Sequence, residues 1–560
     1  MVGDRELSAP GRRRTVIIGG GIAGLATAAL LAREGDAVTL VEASDTVGGR
    51  VGTWQKDGFR FDTGPSWYLM PEVFEHFYRL LGTEVSSELD LIRLDPAYKV
   101  FFEKNDAPLQ IPAGRQNTTA LFEEVEPGAG ARLDAYLRSA SEAYELAVNR
   151  FLYTSYESKR ELFSPSLLGK LPRLLRLLTT SLQNHVAGLF DDPRLRQVLG
   201  YPAVFLGSAP ALTPALYHLM SHLDLDAGVL YPQGGFRGII DSLEQRARHE
   251  GVEIVTGARV TQILTRADHG TRPPAASDQS RTHRATARGV AWERDGQSHT
   301  TEADVVVSAA DLHHTETALL PGHLQTYPED WWHGRTPGPG AVLILLGVRG
   351  ELPQLQHHSL FFTQDWDANF GAIFGSPTRI PDPASIYVCK PSATDPSVAP
   401  EGSENLFVLI PVPADPSIGH GGENREGDSA VEATADAALE QIATWAGIPD
   451  LAERIIVRRT IGPADFAADL NAWSGTALGP AHTLKQSGFL RGSNASAHVD
   501  GLFYTGGSTL PGIGLPMCLI SAELILKRLR RDRTPGPVRE PGRDGADERL
   551  RAHPDASGQQ

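Results

Sequence analysis

Only two cysteines, Cys389 and Cys518, occur in the 560 residues. They stand far apart without the paired spacing of metal-ligating thiols, so neither a disulfide framework nor a zinc site is expected. They read as unpaired thiols in a reducing cytoplasm. Basic charge is also short: 52 Lys and Arg face 68 Asp and Glu, for a net charge of −16, which argues against a nucleic-acid surface. The 18 histidines are scattered, and the adjacent pairs His313, His314 and His357, His358 diverge on any regular element. They read as surface or structural residues, and no metal is expected.

Convincing membrane spans are missing too. Residues 501–522 carry no charge and have the length to cross a bilayer. However, Gly506, Gly507, Pro511, Gly512, Gly514 and Pro516 break the stretch, so it predicts a strand over 502–505, a glycine loop and a helix from about Met517. Residues 15–32 imitate a signal peptide or span after Arg12, Arg13 and Arg14, but no small-residue cleavage site follows.

What is present begins at Thr15. Val16, Ile17 and Ile18 read as a buried strand, and the chain turns through Gly19, Gly21 and Gly24 into an Ala- and Leu-rich helix, followed by a strand over 37–41 that ends at Glu42. The first glycine makes the tight turn, the second lets the backbone approach a pyrophosphate, and the third lets helix pack on strand. Free amides at the helix start face the phosphates. Glu42 is placed to accept hydrogen bonds from both ribose hydroxyls and would repel a 2′-phosphate, which disfavours NADP.

Further strands are expected over 253–266, 287–294 and 303–310, long after the first unit. The fold class is therefore α/β, with a discontinuous Rossmann-like dinucleotide domain (15–104, 233–312 and 496–530). Into it are inserted a helical subdomain (105–232) and a β-sheet substrate domain (313–495). Residues 1–14 read as a flexible leader, 269–283 as a polar loop and 531–560 as a disordered tail. In the helical part, residues 163–190 are Leu-rich, with Lys170, Arg173 and Arg176 and no acid between Glu161 and Asp191. That composition suits a helix begun or kinked at Pro172 and lying in a membrane interface.

After Glu42 come Gly48, Gly49 and Arg50, then Phe59-Arg-Phe-Asp-Thr-Gly-Pro-Ser66. With the closing segment 504–523 they resemble the FAD-binding signature of the amine oxidase and carotenoid desaturase superfamily, in particular bacterial phytoene desaturases. Residues 231–243, 392–413 and 465–479 are similar to further blocks of the desaturase subgroup. The closing motif departs from the family in carrying Leu510 and Met517 where His and Gly are usual. The resemblance implies FAD held by Gly19, Gly21, Gly24, Glu42, Gly49, Arg50, Gly64, Val260 (backbone against adenine), Gly507, Ser508 and Gly514.

It also implies hydride transfer from phytoene and partly desaturated carotenoids, ending at lycopene, with quinone or dioxygen reoxidising the cofactor. A carotenoid isomerase or oxidase on the same scaffold is the rival reading, and a non-enzymatic prenyl-binding escort protein a more distant one. A helix from about Met517 could aim its amide end at the pyrimidine edge of the flavin. The catalytic acid or base stays unassigned, since Glu142 and Arg150 do not register with the family's pair. Moving a forty-carbon hydrocarbon into water costs tens of kcal/mol at about 0.8 kcal/mol per methylene. The expected location is therefore cytoplasmic with peripheral membrane attachment.

Overall fold

A computed structural model describes residues 11–157, 171–267 and 285–541. Five parallel strands form the central sheet, in the order Leu502–Tyr504, Val305–Ser308, Arg14–Ile18, Ala37–Val41, Glu253–Val255. Strands buried on both faces need near-continuous apolar sequence. Here Ile17 faces a helical layer, while Val16 and Ile18 face a second core. The helical layer is Ile22–Arg33, Arg237–His249 and Leu515–Arg530. The opposite face is covered by the antiparallel strands Arg259–Ala267, Ala285–Arg294 and Gln297–Glu302.

A seven-stranded sheet runs in the order Ile455–Ile461, Gly340–Arg349, Ser403–Val412, Ile386–Cys389, His358–Phe362, Tyr98–Phe102, Asn105–Ile111. One face packs on the helix Ser429–Ala446. The other meets Phe59 and Phe61 from the hairpin Thr53–Lys56 and Phe59–Asp62. The hairpin 98–111 straddles position 104, so the large sheet draws on residues N-terminal to 105. The cause is parallel pairing of Tyr98–Phe102 with His358–Phe362. Helices Ala129–Ala147, Leu171–Thr179, Leu182–Ala187 and Pro193–Gly200 make up much of the helical part. Among the described residues, no helix is long and apolar enough to cross a membrane.

Both ends of the described residues are more tightly held than their composition implies. Arg12 donates to the Gly35 carbonyl at 2.7 Å, Arg13 pairs with Asp36 at 3.0 Å and Arg14 with Glu302 at 3.0 Å. The leader reading therefore fails for these three arginines, and residues 1–10 lie outside the described residues. The closing helix begins at Leu515, two residues before the expected start, with Pro516 in its first turn, where its missing N–H costs nothing.

The tail is also built in as far as 541. Lys527 Nζ donates to the carbonyls of Tyr153, Thr534 and Gly536 at 2.9, 2.6 and 2.7 Å. Val538 is buried, and its N–H donates to Glu523 at 2.6 Å. The buried ammonium needs these oxygens, a demand that Pro- and Gly-rich composition hides. Residues 542–560 and the loop 269–283 lie outside the described residues.

His76 clasps this tail, with Glu523 at 3.0 Å on Nε2 and Glu540 at 3.0 Å on Nδ1. Burial opposes its protonation, but the two carboxylates outweigh it and raise the pKa above the usual 6.5. A raised histidine contributes stability that is complete below its unfolded pKa and is lost as pH rises through the folded one. Hydrogen exchange over 533–541 is expected to be slow near pH 6 and faster in alkali by more than the intrinsic rate change. Equal protection at both pH values would remove His76 as the clasp.

Candidate functional site

The glycine turn between the first strand and helix is shaped by close approach. Gly19 has φ +96, and a Cβ there would stand 3.3 Å from the Ala310 nitrogen. At Gly24 a Cβ would lie 1.9 Å from the Gly19 carbonyl oxygen, so only glycine lets the helix seat on the turn. Gly21 differs. Its backbone is extended, at φ −70 and ψ 177, and a Cβ would meet nothing closer than the Gly48 oxygen at 3.9 Å. The helix it caps has no side-chain cap, leaving amides and a positive dipole end for an anion.

Glu42, at the end of the second strand, accepts from the Gly20 N–H at 2.6 Å and the Ser44 N–H at 2.8 Å. The carboxylate expected to hold the ribose thus also fastens the glycine turn. The Glu42 carbonyl receives the Ala258 N–H at 2.8 Å, which brings Val260 to the same rim. Gly48 N–H donates to the Gly20 carbonyl at 2.9 Å, and Gly49, at φ +56, closes on Gly21. Arg50 donates through Nε to the Ala477 carbonyl at 3.1 Å, while its Nη2 is buried without a partner. An orphaned guanidinium nitrogen is costly unless an anion completes it, so this site fits a pyrophosphate. At Gly64 a Cβ would lie 1.9 Å from the Arg50 carbonyl oxygen.

The C-terminal motif meets this cradle from the other side. Gly506 approaches Ala23 closely enough that a Cβ would be 3.6 Å from its methyl. The Gly507 carbonyl accepts from Arg491 at 2.6 Å, and Arg491 also donates to Pro480 and Thr509 at 3.2 and 3.1 Å. Burial pulls this guanidinium down to about 10, leaving it charged at neutral pH. Ser508 adjoins Gly479. A Cβ at Gly512 would strike the His482 ring at 2.3 Å, and His482 Nε2 accepts the Ile513 N–H at 3.2 Å. Gly514, at φ +119, caps the helix Leu515–Arg530 without a side-chain hydrogen bond, leaving a second free amide end. The expected cofactor residues thus converge from both chain ends.

Three separated motifs meet at Asp62, which the sequence reading did not single out. Its carboxylate accepts from the Phe236 N–H at 2.8 Å, and Gly235, at φ +87, leaves room for it. Gly234 N–H donates to Asp395 at 2.6 Å. Burial outweighs these amides and raises Asp62 to about 6.

Beside it, the face of the large sheet that carries Cys389 is aromatic. Trp67 stacks on His358 at 4.2 Å and lies near Tyr98 and Phe205. Ser66 Oγ is 2.7 Å from the Tyr387 hydroxyl, which is 2.8 Å from His358 Nδ1. His357 and His358 are therefore buried, not surface, residues. Asp224 accepts from Tyr201 at 2.8 Å and Tyr98 at 3.1 Å, leaving its Oδ1 buried and unpartnered. Burial raises it to about 7 against those two hydrogen bonds. Neither Asp224, on the π-helical turn Leu223–Ala227, nor Arg491 had a local signal beyond a charge in apolar sequence.

The model of the flavin-containing amine oxidoreductase family matches residues 22–524. The chain belongs to that family, on its carotenoid desaturase branch. It is 40% identical over 516 residues to a carotenoid 3,4-desaturase of Haloarcula japonica, covering 92% of this chain and 98% of the relative. It is 35% identical to a zeta-carotene-forming phytoene desaturase of Myxococcus xanthus, covering 92% and 94%. Among solved structures, an oxidoreductase from Methanosarcina mazei superposes with a TM-score of 0.58 at 17% identity, covering 92% of this chain and 100% of that one. Putrescine oxidase bound to putrescine gives 0.55 at 14%, covering 93% and 99%. These two share the fold. FAD is the cofactor of this desaturase, and the glycine cradle with the orphaned Arg50 nitrogen fits it.

Gly21→Val and Gly24→Val should separate these roles. At Gly21 the backbone accepts a side chain, which then fills the phosphate space. The variant is expected to fold by circular dichroism but purify colourless. Gly24→Val should fail to fold. A fully yellow Gly21→Val protein would place the pyrophosphate elsewhere.

Proposed function

We propose that this desaturase oxidises phytoene and its partly desaturated products stepwise, ending at lycopene, while attached to a lipid surface. The supporting observation is the aromatic wall beside the Asp62 junction. Trp67, Tyr201, Phe205 and Phe362 form an aromatic face in contact, which suits a polyene.

When bound, FAD supplies the hydride acceptor, and quinone or dioxygen reoxidises it. The residues bind, orient and exclude water. The uncapped amide ends at Gly21 and Gly514 would hold the cofactor's phosphates and ring, and Arg491 holds the Gly507 carbonyl in place. The proton leaving the neighbouring carbon needs an acceptor. Asp224, with its unpartnered Oδ1 and a pKa of about 7, is the group of this wall suited to it.

A second reading, desaturation at the 3,4-position, is favoured by the name of the Haloarcula japonica relative. Phytoene and lycopene supplied separately in liposomes distinguish the two. Phytoene should be consumed without NAD or NADP and lycopene should accumulate. Untouched phytoene with lycopene converted to a longer chromophore selects the second reading, and poly-cis lycopene turned all-trans selects an isomerase. Asp224→Asn should retain FAD and slow desaturation by about a hundredfold. In the parent enzyme the rate should rise with pH through about 7, as the carboxylate ionises.

Attachment is supported by apolar side chains left in solvent. Leu175, on the helix Leu171–Thr179, is 51% exposed and Leu212 is 48% exposed. Phe489, 60% exposed, and Leu490 lie on a loop beside Lys485. Tyr217 links the two areas: its segment Ala215–Leu219 contacts the helix, and its hydroxyl is 3.0 Å from His482. Of the expected basic residues, Arg176 is exposed. Arg173 is engaged by Glu142 at 2.6 Å, which tempers its charge, and Lys170 with 163–169 lies outside the described residues. Leu175→Glu with Arg176→Glu should weaken binding to anionic liposomes. Each basic residue is worth about 1 kcal/mol there and a buried leucine about 1.5–3 kcal/mol. Unchanged co-sedimentation at low salt would move the docking face elsewhere.

A further inference from the structure

The strands His358–Phe362 and Ile386–Cys389 pair antiparallel with His358 directly opposite Cys389. Residues so paired share a face and approach closely. The Lys390 N–H donates to the His357 carbonyl at 2.7 Å, which fixes the residue before the strand. One ring nitrogen of each histidine and the Cys389 sulfur all lie within 4.8 Å of one another, and all three residues are buried.

Each histidine has one ring nitrogen hydrogen-bonded and one without a partner. His357 Nδ1 lies 2.7 Å from Thr394 Oγ1 and His358 Nδ1 2.8 Å from the Tyr387 hydroxyl. Both Nε2 atoms are buried without a partner. Metal-ligating histidines use their second nitrogen in this way, which sets the tautomer and turns the other lone pair toward the ion. Burial holds both imidazoles neutral, His357 at about 3. Two unpartnered buried nitrogens in one cluster would each cost about 1–3 kcal/mol. Cys389 also lines a cavity of about 10 Å³, whose lining includes Asp62, Ser66 and Tyr231, close to the space one small ion or water needs.

We propose that His357, His358 and Cys389 bind one zinc(II) ion through two imidazole Nε2 atoms and one thiolate, with the fourth position facing that cavity. Imidazole and thiolate together suit zinc. On binding, the Cys389 S–H bond breaks, its proton passes to solvent, and a Zn–S bond forms. No electrons are transferred. Zn–N and Zn–S bonds of roughly 2.0 and 2.3 Å require the ligands to draw inward. The neighbouring Lys390 ammonium is already engaged by the Leu352 carbonyl at 2.8 Å and Glu404 at 3.3 Å, and Asp62 adds negative charge at the cavity. The ion would clamp two strands of the large sheet against Trp67.

The test is metal analysis of the FAD-loaded enzyme, purified without chelator or metal-affinity tag, incubated with zinc chloride and desalted. One zinc per chain is expected. Cys389→Ser and His358→Gln should keep FAD and lower zinc affinity by at least about tenfold, while His313→Gln keeps the metal. Wild-type enzyme that retains no zinc overturns the proposal, as does full zinc affinity in Cys389→Ser. Should the variants fail to fold, zinc X-ray absorption of the wild type decides. One sulfur and two nitrogen neighbours support the site, and a shell without sulfur rejects it.

Discussion

A half-buried carboxylate joins the two halves of this molecule. Asp62 ends the hairpin that packs on the large sheet, and its charge is accommodated by the amides of Phe236 and Arg237. Burying a carboxylate without such donors would cost several kcal/mol. The turn that supplies the amides must therefore come close, and Gly235 makes that possible. Through Gly234 the same turn is tied to Asp395, beyond the strand that carries Cys389. Once Asp62 is in place, Gly64 lies on Arg50, Ser66 reaches Tyr387 and Trp67 stacks on His358. The cofactor cradle and the aromatic wall are thus positioned by one junction.

Buried cations do comparable work elsewhere by collecting carbonyls. Arg491 gathers oxygens from Pro480, Gly507 and Thr509, which fixes a glycine-rich loop with few side chains of its own. Lys527 does the same for the chain after the last helix. A desolvated charge enforces its partners because leaving them is expensive. These loops therefore gain definition beyond what the few apolar side chains they bury, Leu510 and Val538, provide.

This division suits redox chemistry on a hydrocarbon. Backbone amides and glycines, which present dipoles and little bulk, line the cradle that fits the dinucleotide. Aromatic rings, which offer area without charge, gather where the large sheet meets the helical part. Burial shifts the ionisable groups of the wall toward their neutral forms, Asp224 upward and His357 and His358 downward.

The dinucleotide unit was legible from sequence because its physics is local. Gly19, Gly21, Gly24 and Glu42 act within one strand, turn, helix and strand, and the apolar runs 16–18 and 305–307 can only be buried strands. The convergence of Arg50, Gly64, Gly507 and Gly514 was accessible through resemblance to a family, not through spacing. Asp62, Asp224, Arg491 and Lys527 looked like ordinary charges, because burial depends on which distant segments close over them. His357 and His358 looked divergent, as neighbours on a strand should. Their meeting with Cys389 depends on a strand register set some thirty residues away. The sequence by itself determined the cofactor class and the order of elements around the cradle. Tertiary structure alone decided which polar groups are desolvated, and the same closure of distant segments leaves Arg50, Asp224 and the two histidines with unpartnered atoms.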